Sequence, residues 1–161
     1  MSLNGIYVVT YARTSTGGGL FHWGIVIKTA DAVKGVLYHA MQFPAWHYEE
    51  REHDFEASQT GVLALKIGNI PARWGPQQFN YLFKQIPVGD TPDFTCRVWV
   101  LRAVQLLVAN NEAEYVLVCK GIIQCPNVEA LEAEVKHKAG PVRNRVMLGG
   151  SSSVQISETS S

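Results

Sequence analysis

The run from Cys96 to Ala109 sets the terms for the whole chain. Val98, Leu101, Val104, Leu107 and Val108 recur along one side at helical spacing, and Trp99, Val100 and Leu106 carry the apolar surface further around. The pattern predicts a helix buried on most of its faces, so other elements have to be layered against it. Asp93 or Thr95 can cap its start, because a short side-chain oxygen there accepts an otherwise unpaired backbone N–H. Cys96 then falls in the first turn.

The covering layers read mainly as strands. Ile6 to Tyr11 is dense in β-branched and aromatic residues and is interrupted by the Ser/Thr/Gly cluster Thr14 to Gly19. In Leu20 to Lys28 the alternate positions Phe21, Trp23, Ile25 and Ile27 are large and apolar, as a strand with one buried face requires. A polar connection from Thr29 to Gly35 leads into Val36 to Met41, the expected antiparallel return of a hairpin. Trp46 to Phe55 and Gly61 to Ile67 add two further strands. Gln77 to Gln85, after Pro76, predicts a short helix, and Val128 to Lys138 a final amphipathic one that stops before Gly140.

The expected architecture is α+β: an antiparallel sheet of about five strands packed on the central helix that starts at Cys96. One domain is expected over residues 1–148. The Gly/Ser-rich segment 149–161 has too little apolar surface to offset ordering and is expected to be a flexible tail.

Composition narrows the function classes. At 161 residues, 47% hydrophobic and 17% charged, the chain suits one globular domain rather than disorder or a solvated rod. Fourteen basic residues balance fourteen acidic ones, so no overall field draws in nucleic acid or an anionic membrane surface. No apolar run approaches the roughly 20 residues of a membrane span. Cys96, Cys119 and Cys125 cannot all pair within one chain, and Met1 to Asn4 has none of the features of a secretory signal. A reducing, cytoplasmic setting is expected, with export by a route that needs no signal peptide left open. Oligomeric state is not legible.

A thiol in the first turn of a helix sits where unpaired amides and the helix dipole favour the thiolate. His22 lies within an apolar strand, where an imidazole needs a hydrogen-bonding partner to offset its desolvation. Across the expected hairpin, His39 on the neighbouring strand can be that partner. These residues make a candidate catalytic set: Cys96 as nucleophile, His22 as base and then acid, His39 as the group that orients it. The backbone N–H groups of Cys96 and Arg97 are the candidate oxyanion donors.

Phe21-His22-Trp23-Gly24-Ile25-Val26-Ile27, then Tyr38-His39-Ala40, then Thr95-Cys96 opening a hydrophobic helix, resembles the circularly permuted papain-like (NlpC-like) superfamily typified by lecithin retinol acyltransferase-like proteins. There the order along the chain is histidine, second polar residue, cysteine. The chain is also similar to a family of small fungal proteins, sharing the His-Trp and Tyr-His strands, Trp46-His47-Tyr48-Glu49, Ile67-Gly68 and Cys96-Arg97-Val98-Trp99-Val100. The likeness spans roughly residues 5 to 135 and implies a papain-like fold with Cys96, His22 and His39 as its triad.

Other constellations compete less well. His47, His53 and Asp54 have no zinc-ligand spacing, and five residues separate Cys119 from Cys125. No metal is expected. His53 with Asp54, or Asp93, are alternative orienting groups. Gly17-Gly18-Gly19 lacks the Lys-Ser/Thr of a P-loop and reads as a loop at the cleft edge. Trp23, Trp46, Trp74 and Gly18 are the candidate cleft residues.

The expected function is a cysteine-dependent hydrolase or acyltransferase acting on an amide, ester or thioester of a small molecule or peptide, without a cofactor. Two alternatives stand beside it: a catalytically inactive papain-like fold that binds a protein or ligand, and a lyase or isomerase using the same pocket.

Overall fold

The computed structural model describes residues 1, 4–13, 20–30, 32–109 and 121–161. In chain order the elements are β1 (Gly5–Ala12), β2 (Phe21–Lys28), β3 (Gly35–Met41), β4 (His47–His53), β5 (Gly61–Asn69), α1 (Pro76–Phe83), α2 (Cys96–Ala109), α3 (Val128–Met147) and β6 (Ser153–Ile156). The strands form one sheet in the order β4-β3-β2-β1-β5-β6. The fold is α+β.

Strand alternation divides the sheet into two faces. Phe21, Trp23, Ile25 and Ile27 of β2 and Tyr38 and Ala40 of β3 join a core with Phe79 and Phe83 of α1, Trp99 and Val104 of α2, and Leu131 and Val135 of α3. Tyr7, Val9 and Tyr11 of β1, Val26, Leu37 and Phe55 form a separate cluster on the opposite face. The helices therefore cover one face of the sheet.

Helix α2 begins at Cys96, but it is not wrapped on most sides as expected. Cys96, Trp99, Val100, Ala103, Val104 and Leu107 are buried, whereas Val98, Leu101, Leu106 and Val108 are half-buried. The helix packs on β2 and β3, and its Trp99 meets Phe83 of α1 and Tyr48 of β4.

The sheet is mixed and six-stranded rather than antiparallel with about five strands, because β6 pairs parallel to β5, Leu63 beside Ser153 and Lys66 beside Ile156. This strand arises inside the segment expected to be a flexible tail. The composition argument holds for apolar area, since Val154 and Ile156 are exposed; the segment is held by polar contacts instead. Ser160 Oγ donates to the Ile67 carbonyl at 2.9 Å, Gln124 and Ser161 exchange backbone hydrogen bonds at 2.8 and 3.0 Å, and Glu134 accepts from Ser157 Oγ at 2.8 Å and the Glu158 amide at 2.9 Å. Burial alone would raise the Glu134 carboxyl, but hydrogen bonds from Thr159, the Glu158 amide, Lys138 and Ser157 outweigh it and hold it down to about 2. Glu134→Ala is expected to cost about 2–4 kcal/mol in urea unfolding at neutral pH, as several charge-assisted bonds go at once, with faster hydrogen exchange over 153–161.

Helix α3 continues through Gly140 and Pro141 to Met147. Proline removes one helical hydrogen bond, yet the buried face Leu131, Val135, Ala139, Val142 and Val146 continues at helical spacing across it. Burial of that face outweighs the local stop signal.

Candidate functional site

In the β2–β3 hairpin, Ile25 lies opposite Tyr38 and Val26 opposite Leu37. His22 shares its face with Val26, and His39 with Leu37, so both imidazoles project from the side of the sheet away from the helices. Gly24 lets the strands close here: a Cβ on it would meet Leu37 Cδ1 at 2.7 Å and the Tyr38 carbonyl at 3.2 Å. The rings join directly, His22 Nε2 to His39 Nδ1 at 2.6 Å. On β4, Glu49 stands opposite His39, and its Oε1 is 3.1 Å from His39 Nε2.

At the other end of this chain of contacts is Arg13, the residue after β1. Its Nη2 lies 3.2 Å from His22 Nδ1 and donates to Cys96 Sγ at 3.5 Å. One guanidinium nitrogen thus touches both the imidazole and the sulfur.

The ends of the chain fix every proton in it. Arginine only donates, so His22 Nδ1 accepts and its proton resides on Nε2, directed at His39 Nδ1; His39 then carries its proton on Nε2, directed at the Glu49 carboxylate. Both rings are neutral in this arrangement. Burial, reinforced by His39, Arg13 and Arg51, pushes His22 down to about 3. Burial also lowers His39, against the upward pull of its hydrogen bond to Glu49 and of the Glu49 charge.

Thr95, not Asp93, caps α2: its Oγ1 accepts from the Val98 amide at 3.2 Å and its carbonyl from the Trp99 amide at 3.0 Å. Cys96 and Arg97 are the first two helical residues, and helix geometry gives their N–H groups no acceptor within the helix. The cysteine is 3% exposed and lines a cavity of about 460 Å³ with Leu20, Phe21, Trp23, Arg97 and Lys136. Arg97 and Lys136 both pair with Glu132.

Residues 6–112 match a family of unknown function, DUF6540. The chain belongs to this family. No curated protein and no solved structure matches it. The DUF6540 span runs from β1 past the end of α2 and takes in Arg13, His22, His39, Glu49 and Cys96; α3 and β6 lie beyond it.

Within this DUF6540 domain the expected pair His22 and His39 is in direct contact, and among the described residues Cys96 is joined to it through Arg13. No hydrogen bond links Cys96 to His22 among the described residues, because strand parity sets Trp23, rather than His22, beneath the helix. Trp23 does line the cavity beside the sulfur. Trp46 packs edge-on against Phe94, centroids 4.9 Å apart, and Trp74 against Phe79 at 5.1 Å, beside a separate groove with Gln77 and Tyr81; neither reaches Cys96 or the histidines. Gly18, with the rest of 14–19, and Cys119 lie outside the described residues.

None of the alternative orienting groups bonds to His22 or Cys96 among the described residues. The His53 ring is 5.4 Å from Tyr11, Asp54 accepts from the Glu56 and Ala57 amides, and Asp93 is exposed. Among the described residues no three His, Cys, Asp or Glu side chains are grouped to hold a metal ion, and no helix is long and apolar enough to cross a membrane. Sequence reasoning missed Arg13 and the role of Glu49. The signal for Glu49 was the return strand itself, whose acids Glu49, Glu50 and Glu52 make an acid opposite His39 one of the common outcomes of antiparallel pairing with β3. Arg13 gave none, because a single arginine after a strand resembles any solvated strand end.

Proposed function

We propose that this DUF6540 protein is a cysteine-dependent hydrolase or acyltransferase acting on an amide, ester or thioester. In this reading Cys96 is the nucleophile, His22 the base, and His39 with Glu49 the orienting pair. The observation that carries the reading is the meeting of Cys96 Sγ and His22 Nδ1 on one nitrogen of Arg13. The resemblance to permuted papain-like proteins, with histidine, polar residue and cysteine in that chain order, supports it.

Arg13 defines a resting arrangement. When its guanidinium withdraws, His22 Nδ1 is left with a lone pair on the side of the sulfur, while Nε2–H remains bonded to His39. Sγ then attacks the carbonyl carbon as the thiol proton passes to Nδ1 through a water in the space Arg13 leaves, and the positive charge on His22 is met through His39 by Glu49. The oxyanion accepts from the Cys96 and Arg97 N–H groups. Collapse breaks the bond to the leaving group, which departs with the proton from Nδ1 and leaves a thioacyl on Cys96. Water or another acceptor gives a proton to Nδ1, attacks the thioester carbonyl and frees the sulfur. The cavity beside Trp23 and Phe21 would take the acyl chain.

A second reading, a binding module with a structural Cys96, is favoured by one observation: the sulfur and the imidazoles open onto different cavities. Iodoacetamide labelling of Cys96 across pH separates the two. The enzyme reading expects His22→Ala to slow labelling near pH 7 by about tenfold or more. Equal rates, or an inert thiol in folded wild-type protein, would contradict it and favour the module.

A further inference from the structure

On the face of the sheet away from the helices, a second cavity of about 380 Å³ opens beside the histidine pair, near the lower end of the range for small-molecule sites. Two polar atoms buried there have no partner among the described residues, the Tyr11 hydroxyl and His53 Nε2. Tyr11 is 7% exposed, and burial pushes its phenol up against the opposing pull of Arg51, so the hydroxyl stays a donor. Leaving such groups unpaired in a protein interior is costly, and paired orphans on one cavity wall point to something that fills it.

The wall has a charge and an apolar side. Its lining includes the guanidinium groups of Arg13 and Arg51 and no carboxylate. Among the described residues Arg51 is held through Nε, 3.5 Å from Glu49 Oε1, which leaves the outer nitrogens of the fork for an oxyanion. With Glu49 beside Arg51 offsetting part of its charge and the histidines neutral, the wall suits a monoanion better than a dianion. Leu37, Met41 and Phe43 line the same cavity, and Phe43 is 86% exposed at its rim.

We propose that this cavity binds a small organic carboxylate. The Tyr11 hydroxyl, His53 Nε2–H and Arg51 guanidinium hold the carboxylate, and Leu37, Met41 and Phe43 cover an apolar body. This goes beyond the acyl-transfer reading and stands whether or not Cys96 reacts.

Benzoate and 3-phenylpropionate serve as probes, titrated into the full chain by calorimetry and followed at the imidazole protons by NMR. Saturable binding is expected, with benzamide, which has the same ring and no charge, about tenfold weaker or more. Tyr11→Phe removes a hydroxyl without a partner among the described residues, so the variant is expected to fold with a Tm raised by about 2–4 °C while binding benzoate about tenfold more weakly. Arg51→Gln, at an exposed position, is expected to weaken binding similarly. Phenyl phosphate binding more than tenfold tighter than benzoate would overturn the choice of a carboxylate. So would no saturation by either acid below about 20 mM, benzamide binding as well as benzoate, or wild-type affinity in both variants.

Discussion

Between pH 6.5 and 4.5 the folded protein is expected to lose about 2 kcal/mol of stability through His22 alone, with a further loss through His39. In the unfolded chain both imidazoles take up protons near 6.5. In the folded protein burial keeps His22 neutral down to about 3 and lowers His39 in the same direction. The unfolded state therefore binds more protons across this window, so stability is complete above pH 6.5 and drains away as the pH falls. The hydrogen-bond chain gives a structural reason for the resistance: a proton added to His22 Nδ1 would face the donor Arg13, and one added to His39 Nδ1 would face the donor His22 Nε2–H. Urea unfolding at a series of pH values measures this. His22→Gln should remove about 1.4 kcal/mol per pH unit of slope. Glu134 adds its own loss between its ordinary range and about 2, which overlaps the lower part of the His22 window, since that runs on to about 3.

The second large effect is on turnover. Cys96→Ser is expected to keep the fold, since the exchange is nearly isosteric and the Thr95 cap is untouched, and to reduce hydrolysis of an activated ester by about a thousandfold or more, because a serine hydroxyl at this position lacks the nucleophilicity of sulfur. Glu49→Gln is expected to give a smaller loss with a shifted pH profile, as it weakens the acceptor that holds both rings in the productive tautomer without touching the sulfur. Steady-state rates of wild type and both variants across pH 6–9 check this. Full activity in Cys96→Ser would remove every role given to that residue.

Much of the fold was legible because it follows from side-chain period. The alternation Phe21-Trp23-Ile25-Ile27 and the apolar repeat of 96–109 each had one structural solution, and the β2–β3 hairpin with its His22–His39 contact followed from them. The site was less legible where a decision hung on which face of a strand met the helix. Alternation says that His22 and Trp23 point opposite ways, and the larger apolar ring belongs to the helix side; following that parity through places the imidazoles away from Cys96 and leaves Arg13 as the link. The 153–161 segment was misread for a different reason. Its stability comes from hydrogen bonds to Glu134, Ile67 and Gln124, partners distant in sequence that a local count of apolar residues cannot register.

In the proposed mechanism sulfur and imidazole act as one unit once Arg13 moves aside. Incubation with p-nitrophenyl acetate, an acid quench and intact-mass analysis with peptide mapping tests it directly. An acetyl thioester on Cys96, released by hydroxylamine and strongly diminished in His22→Ala, is the predicted result; an unmodified Cys96, or equal acetylation with and without His22, would contradict it.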